Sequence, residues 1–305
     1  MREPLTRILL TLALAAVVSV WPSAKRRPAE SIADLVEIDA VVVDGKGKPV
    51  HGLQKTDFSV RENGKPVTIT TFREVTEPKE IDADAARTLT LLLDDTGVAP
   101  LGTQTVQIIA KAFLESASLV DDVSVVRLHA RDDEAFGDRL TAASRILGYR
   151  AGAYPFVVWS TSGDVLARIR DITRAVSSGA SRSKVIVCIG SPFICNVREP
   201  DPSAPRSFEN LWVDTVAEAA AANVAMYAIV PGRAPLRGGG LPDMTGGEVF
   251  TPNSDLGPAI DRILRDASNH YVLGYWPADS TPRKLHRVEV KTSRRGARLH
   301  ARRLR

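Results

Sequence analysis

The residues most capable of chemistry stand just after three apolar runs. Asp94 and Asp95 follow LTLLL, Ser191 comes two residues after KVIVCI, and Arg233 comes shortly after VAMYAIV. Their carboxylate, hydroxyl and guanidinium groups could bind a partner, or simply end a strand and cap a turn. Gly190-Ser191 lacks the second glycine of a GxSxG nucleophile elbow, so a hydrolase serine is not indicated.

The histidines and cysteines form no familiar catalytic or metal motif. The five histidines lack zinc-ligand spacing, and neither HExxH nor a paired CxxC occurs. Gly238-Gly239-Gly240 is not followed by Gly-Lys-Ser/Thr, so no phosphate-binding loop is indicated. Cys188 and Cys195 could form a disulfide in an oxidising compartment. They could equally be a buried strand thiol and a separate free thiol, because spacing does not fix the distance between the two Cα atoms.

The composition is that of a globular protein with an uneven charge distribution. Of 305 residues, 44% are hydrophobic and 25% charged, which excludes a disordered, collagen-like or disulfide-scaffold protein. The formal net charge is +4, but residues 283–305 contain ten Lys or Arg and one acid. This basic segment could contact an anionic surface, or be a hydrated edge strand that resists pairing. Because aromatic residues are not interleaved with it, nucleic acid is not expected as a partner.

The N-terminus has the pattern of a secretory signal. Arg2 and Arg7 precede fourteen uncharged residues, Ile8–Trp21, and the small residues Ser23 and Ala24 follow. The apolar run is shorter than the roughly 20 residues that span a bilayer. We therefore interpret residues 1–24 as a signal peptide and expect export to the periplasm or beyond. An uncleaved anchor is the alternative.

Both flanks of the chain are rich in strand patterns. Residues 34–78 contain alternating apolar and polar positions and an Asn63-Gly64 hairpin turn. Residues 269–305 contain three further runs, at His270–Trp276, Leu285–Lys291 and Arg298–Leu304. Neither flank is long enough to form much of a core alone. We predict that together they form a β-sandwich into which another domain is inserted.

The middle of the chain, residues 87–268, alternates strand and helix patterns. Thr88–Leu93 is an apolar strand with no polar face, as expected for a parallel sheet covered on both sides. The pattern predicts a doubly wound, mostly parallel α/β fold, whose ligands gather at the carboxyl ends of the strands. The loops expected there are 94–100, 191–206 and 231–241. The element pattern is weakest between residues 131 and 159.

This middle part resembles a von Willebrand factor A domain, and the whole chain resembles the exported VWFA-related proteins of Acidobacteria. The matching segments are VEIDAVVVDGKGKPVHGLQKTDFSVRENGKPVTITTF (36–72), LTLLLDDTG (89–97), TGGEVFTPNSDLGPAIDRILRDASNHYVLGY (245–275) and LHRVEV (285–290). The resemblance implies a non-enzymatic recognition module.

The resemblance also implies an ion site, of which this chain keeps only part. Family members that bind metal use an Asp-x-Ser-x-Ser turn, a threonine from a later loop and a further aspartate. Here Asp94 and Thr96 match the first two positions of that turn, whereas Val98 replaces its second hydroxyl. Thr161, or alternatively Ser162, matches the loop threonine, although either could equally cap a helix. No carboxylate stands near Ser191. A degenerate metal-ion-dependent adhesion site is implied, with weak Mg²⁺ binding at most.

These observations lead to one expected function and one alternative. We expect an exported, non-catalytic adhesion or scaffold protein that binds an extracytoplasmic protein partner. The partner-binding loops include Asp95, Gly97, Ser191 and Arg233. The alternative is a structural envelope protein that is tethered to anionic membrane surfaces by its basic C-terminal segment.

Overall fold

The structure is a computed structural model, and it describes ten stretches of the chain. They are residues 35–77, 86–129, 138–152, 162–177, 183–191, 197–200, 202–231, 240–252, 255–277 and 284–305. The predicted signal peptide, Thr161, Cys195 and Arg233 lie outside these described residues. Within them, no helix is both long enough and apolar enough to cross a bilayer.

A parallel sheet forms in the middle of the chain. Among the described residues it has five strands, which are β5 (Arg87–Leu93), β6 (Asp122–Arg127), β7 (Ser183–Ile189), β8 (Val224–Ile229) and β9 (Val249–Phe250). Their order across the sheet is β6-β5-β7-β8-β9. Every residue of β5 is buried, because β5 has a strand on each side and helices above and below. The unbroken apolar run in the sequence is therefore explained by a strand with no solvent-facing side.

Helices cover both faces of this sheet, as the alternating sequence pattern predicts. One face packs against α1 (Thr103–Ser116), α2 (Arg139–Gly148) and α6 (Gly257–Ser268). The other face packs against α3 (Ser162–Ser177), α4 (Arg206–Ala221) and α5 (Leu241–Thr245). Helix α2 lies in the region where the sequence pattern was weakest. Its N-terminus is fixed by Asp138, whose side chain accepts a hydrogen bond from the backbone N–H of Thr141.

Two antiparallel sheets are built from strands of both chain flanks. In the described residues, the larger sheet has the order β12 (Arg298–Ala301), β1 (Val36–Val43), β10 (His270–Tyr275) and β4 (Ile69–Val75). The smaller has β11 (Val288–Thr292), β2 (Phe58–Glu62) and β3 (Lys65–Val67). We call these sheets together the two-sheet unit. They share one core, in which the rings of Phe58 and Tyr271 lie 5.1 Å apart. Neither flank could bury this core alone.

The second hairpin strand differs from the sequence expectation. The sequence pattern predicts Val67–Phe72 as the partner of β2 across the Asn63-Gly64 turn. In the structure that partner is β3, and the chain then crosses to the other sheet as β4. The turn itself forms as predicted, with φ of 48° at Asn63 and 78° at Gly64. The crossing brings the Ile69 side chain into the shared core from the opposite sheet.

A buried arginine joins the two-sheet unit to the α/β part. The Arg302 guanidinium donates to the carbonyl oxygens of Ala220, at the end of α4, and of Glu37, in β1. It also donates to Oδ1 of Asn223, whose amide group donates in turn to Asp39 Oδ2 at 2.8 Å. The predicted strand Arg298–Leu304 accordingly ends at Ala301, because Arg302 turns towards this junction. We call these contacts the Arg302 junction.

Replacing Arg302 with methionine should destabilise the protein strongly. The change keeps the side chain's apolar volume but leaves two carbonyl oxygens and an amide oxygen buried without their donor. We expect a loss of about 3 kcal/mol in the free energy of unfolding, measured by urea denaturation. Arg303→Met is the matched control, since Arg303 is exposed and should change stability little. Equal stability of the two variants would contradict this role of Arg302.

Helix α6 carries a buried acid. Asp266 is 4% exposed, and its Oδ2 accepts a hydrogen bond from Arg262 Nε at 2.8 Å. Its Oδ1 has no hydrogen-bond partner among the described residues. Burial raises the pKa of Asp266 to about 6, although the Arg262 guanidinium opposes the shift. The ionised form therefore weakens the folded state.

This raised pKa means that the stability of the fold decreases as the pH rises. The pKa in the folded chain exceeds the unfolded value of about 3.9, so folding is favoured by protonation. Asp266 should contribute most stability below pH 4 and lose roughly 3 kcal/mol as the pH rises to 6. Urea unfolding across this range should show a flatter profile for Asp266→Asn. Asp261→Asn, an exposed change on the same helix, should follow the wild-type curve. A parallel profile for Asp266→Asn would refute the assignment.

Candidate functional site

The carboxyl ends of β5 and β7 place the predicted site residues side by side. Leu93 of β5 is in register with Ile189 of β7, so the segment starting at Asp94 lies next to Gly190-Ser191. In parallel α/β sheets this edge is where ligands bind. We call residues 94–101 together with Gly190 and Ser191 the loop edge.

The Asp94 carboxylate fastens the two segments of the loop edge together. Its Oδ1 accepts the backbone N–H groups of Gly97 at 2.6 Å and Thr96 at 3.1 Å. Its Oδ2 accepts the backbone N–H of Ser191 at 3.0 Å. Asp94 is fully buried, so its charge is balanced by these N–H dipoles and not by water. We call this set of contacts the Asp94 clamp.

Tyr149 supports the clamp from the end of α2. Its hydroxyl donates to the carbonyl oxygen of Asp94, and its ring is fully buried. Burial raises the pKa of Tyr149, and the nearby carboxylates of Asp94 and Asp95 raise it further. Sequence reasoning missed this residue. The signal that could have found it is the spacing of Ala142, Ile146 and Tyr149, which lie on one helical stripe.

Two glycines let the loop edge close tightly around Asp94. A Cβ atom at Gly97 would lie 2.4 Å from Ser191 Oγ and 2.5 Å from Asp94 Oδ2. A Cβ at Gly190, where φ is +150°, would lie 2.3 Å from Asp94 Cβ. Any larger residue would push the segments apart. Gly97, predicted as a partner-binding position, thus serves here as a close contact within the loop edge.

The second acid of the pair faces a different neighbour. Asp95 is buried, and its Oδ1 accepts the backbone N–H of His129 at 3.0 Å. The His129 ring Nδ1 lies 3.7 Å from the same oxygen. Ser191 is also buried, and its hydroxyl has no hydrogen-bond partner within the described stretches. Both side chains are therefore buried under the solvent-facing surface of the loop edge and are not part of that surface.

The oxygen atoms available at the loop edge do not fit the Mg²⁺ site that the family resemblance implies. Mg²⁺ requires nearly octahedral oxygen ligands, but both Asp94 carboxylate oxygens already accept backbone N–H groups. Val98 offers no oxygen, and the two segments pack so closely that a Cβ at Gly97 would lie 2.4 Å from Ser191 Oγ. Over the described ranges, no three His, Cys, Asp or Glu side chains are grouped as metal ligands.

Of the remaining predicted residues, the structure describes only Cys188. Cys188 is fully buried in β7 and is disulfide-bonded. Cys195, Thr161 and Arg233 fall outside the described residues. The structure therefore brings Asp94, Thr96, Gly97 and Ser191 together and gives no geometry for the other loop positions.

Exposed apolar side chains border the loop edge. Leu101 is 97% exposed, and Ile108 and Leu147, on α1 and α2, are 51% and 71% exposed. Gln107 ties the helices together here, since its Nε2 donates to the carbonyl oxygens of Ile146 and Leu147 at 3.1 Å. We call Leu101, Ile108 and Leu147 the apolar rim. Contiguous exposed apolar area usually marks a contact surface, whereas single exposed leucines do not.

The opposite end of the same helix pair carries a comparable feature. Leu119 and Leu140 are 78% and 81% exposed. They lie where Arg139 donates to the carbonyl oxygens of Ser118 at 2.6 Å and Ala117 at 3.1 Å. This end is remote from Asp94, so its leucines offer a matched comparison for the apolar rim.

Comparisons with known proteins give distant structural similarities. Neither a protein-family model nor a curated protein sequence matches this chain. The crystal structure of the TFIIH p34 N-terminal domain is 14% identical, with a TM-score of 0.34; the match covers 60% of this chain and 98% of that one. The human COPII-coat protein Sec24c is 10% identical, with a TM-score of 0.37 and coverage of 72% and 44%. Neither similarity indicates an activity for this chain.

Replacing Asp94 with asparagine should loosen the loop edge. The amide keeps the size of the side chain but removes the charge that three backbone N–H groups share. We expect a loss of about 3 kcal/mol in the free energy of unfolding, measured by urea denaturation. Asp44→Asn is the control, because the Asp44 carboxylate also accepts two backbone N–H groups but is solvated. If both variants lost equally little, the Asp94 clamp would not be a stabilising element.

Proposed function

We propose that the α/β part is a von Willebrand factor A-like domain in an exported, non-catalytic adhesion or scaffold protein. In this proposal the loop edge and the apolar rim bind an extracytoplasmic protein partner. The support is of two kinds. The sequence segments around residues 36–72, 89–97 and 245–275 resemble that family, and a parallel sheet with helices on both faces carries the loop edge at its carboxyl end.

The observation that carries the proposal is the Asp94 clamp beside the apolar rim. The clamp holds residues 94–97 against Ser191, so the chain that leads to Leu101 starts from a fixed point. A preformed surface loses little conformational entropy when a partner binds. Exposed leucine and isoleucine side chains supply the apolar contact that the centre of a protein interface needs. Rigidity and apolar exposure together favour protein recognition.

The arrangement of the loop edge gives no support to catalysis. The Ser191 hydroxyl is buried, and no base is hydrogen-bonded to it among the described residues. Nucleophilic catalysis would need such a base within hydrogen-bonding distance. The Asp94 carboxylate is occupied by backbone N–H groups and is not presented to solvent. We therefore assign these residues a positioning role, and the proposed recognition does not depend on Mg²⁺.

A capture experiment with matched leucine variants tests the proposal. The full chain would be immobilised and exposed to envelope extract, and the captured proteins would be quantified by mass spectrometry. Leu101→Ser/Leu147→Ser changes the apolar rim, whereas Leu119→Ser/Leu140→Ser makes the same change at the opposite end of the helix pair. We expect the first variant to bind a specifically captured protein at least tenfold more weakly, which corresponds to about 1.4 kcal/mol. The second variant should bind it as tightly as the wild type does.

The same capture would be repeated with Mg²⁺ and with a chelator, and thermal melting would confirm that each variant is folded. Equal capture in both solutions is expected because the binding surface is apolar. If the Leu101→Ser/Leu147→Ser variant still captured the partner, the proposal would be wrong. A capture abolished by the chelator would show that the loop edge works through an ion after all.

A further inference from the structure

The basic C-terminal segment does not act as one charged tail in the structure. Arg302 is buried in the junction described above, and Arg305 Nε donates to Glu62 Oε1 at 2.6 Å. Two further cations have acidic neighbours, at 2.7 Å for Lys291 with Glu289 and 3.3 Å for Arg287 with Glu199. These side chains stabilise the fold or pair locally. Only part of the charge of this segment therefore remains for a partner.

Arg294 and Arg295 occupy the turn between β11 and β12, where Gly296 takes the left-handed conformation with φ of 74°. Both arginines are exposed. The turn is held in place because the Ser293 backbone N–H donates to the Asp57 carbonyl oxygen at 2.9 Å. Since β11 and β12 belong to different sheets, this turn spans the end of the two-sheet unit.

Two other turns bring cations to the same end. Val43, the last residue of β1, is paired with Arg298, so the following turn with Lys46 and Lys48 lies beside β12. Phe58, the first residue of β2, is paired with Thr292, so the preceding turn that contains Lys55 lies beside the end of β11. We call the exposed cations of these three turns and of the adjoining strand start the basic end: Lys46, Lys48, Lys55, Arg294, Arg295 and Arg298.

Carboxylates at this end are committed to the backbone. Asp44 accepts the backbone N–H groups of Lys46 at 2.8 Å and Lys48 at 2.9 Å, and this hydrogen bonding lowers the pKa of Asp44. Asp57 accepts the N–H of Gln54, and Glu74 accepts that of Gly52. Across the described stretches, none of the six cations forms an ion pair. Six cations and three carboxylates leave an excess of three positive charges.

The shape of the basic end selects among anionic partners. Its cations stand on turns that come from both sheets, so they are spread over one end of the two-sheet unit. Phe58 and Tyr271 near this end are buried and cannot stack on bases, and the partly buried Phe72 packs against both of their rings. Cations spread over protruding tips match a flat surface of many phosphates, to which each Lys or Arg adds a similar increment of binding.

We propose that the basic end binds the phosphate head groups of an anionic phospholipid bilayer. This inference is independent of the proposed protein recognition, because the two surfaces lie on different parts of the molecule. Asn223, which precedes β8, contacts Asp39 of the two-sheet unit, so the amino ends of the parallel strands face that unit. The loop edge follows the carboxyl ends and faces away from it. Membrane contact therefore leaves the loop edge accessible.

Vesicle sedimentation with the full chain tests this proposal. The probes are vesicles of phosphatidylcholine alone and of phosphatidylcholine mixed with phosphatidylglycerol, at low and at moderate salt. We expect the chain to bind the anionic vesicles more tightly, and added salt to weaken the difference. Arg294→Gln/Arg295→Gln and Lys46→Gln/Lys48→Gln should each weaken the anionic component roughly 30-fold, about fivefold for each cation.

The control variant is Lys65→Gln/Lys111→Gln, which removes two exposed cations elsewhere. Lys65 lies in the hairpin at the opposite end of β2, and Lys111 lies on α1. Because all three variants lose the same charge, equal weakening by the control would overturn the proposal and indicate net charge alone. Unchanged binding in both basic-end variants would also overturn it. Tighter binding to a single-stranded oligonucleotide than to anionic vesicles, lost in the same variants, would show that the partner class is wrong. Thermal melting confirms folding in each case.

Discussion

The constraint on which the architecture depends is the pairing of the two chain flanks, fastened by one buried guanidinium. Arg302 donates to β1 and, at the end of α4, to Ala220 and Asn223, so this side chain joins its own C-terminal segment to two parts that are distant in the sequence. A buried arginine is stabilising only if its donors find acceptors, and here each named acceptor is fixed by its own element. Asn223 can take part because its left-handed conformation, with φ of 52°, ends α4 and turns its amide towards Asp39.

A second buried charge organises the other edge of the parallel sheet. The Asp94 carboxylate takes three backbone N–H groups that would otherwise lack acceptors in a tight turn. The site thus uses a carboxylate, two glycines and a tyrosine to hold a loop in one conformation. The Asp94 carboxylate supplies the acceptors that fix this loop, and Val98 contributes no hydroxyl to it.

The sequence predicts the layers well because burial leaves a direct signature in it. The run Leu89–Leu93 is typical of a strand covered on both faces, and the structure has it between β6 and β7 in the parallel sheet. The pattern does not reveal the division between β3 and β4, because only one residue separates them and β3 has only three residues. Helix α2 was missed because its exposed face carries Leu140 and Leu147, which obscure the apolar stripe.

The site was predictable in part, for a similar reason. Asp94, Thr96 and Ser191 follow apolar strands, and parallel pairing must bring such residues to one edge. The orientation of Asp95 towards His129 depends on a contact across neighbouring strands, which spacing along the chain does not encode. The basic end escaped notice for the same reason, because its lysines and arginines come from opposite flanks. Local charge counts find only the C-terminal half of it.

The interleaving of the flanks also has a consequence for biosynthesis. Strand β1 is made early, but its neighbours in the sheet, β10 and β12, emerge only after the whole α/β part has been synthesised. Until then β1 has both edges unpaired and its apolar face uncovered, which is the condition under which strands aggregate. The α/β part, by contrast, has all of its described strands between β4 and β10 in the sequence, so each finds its neighbours within that part. Strand β1 must therefore be kept from aggregating until β10 and β12 have been synthesised. A chaperone that binds the nascent chain, or rapid completion of synthesis, matters more for this topology than for one with sequential pairing.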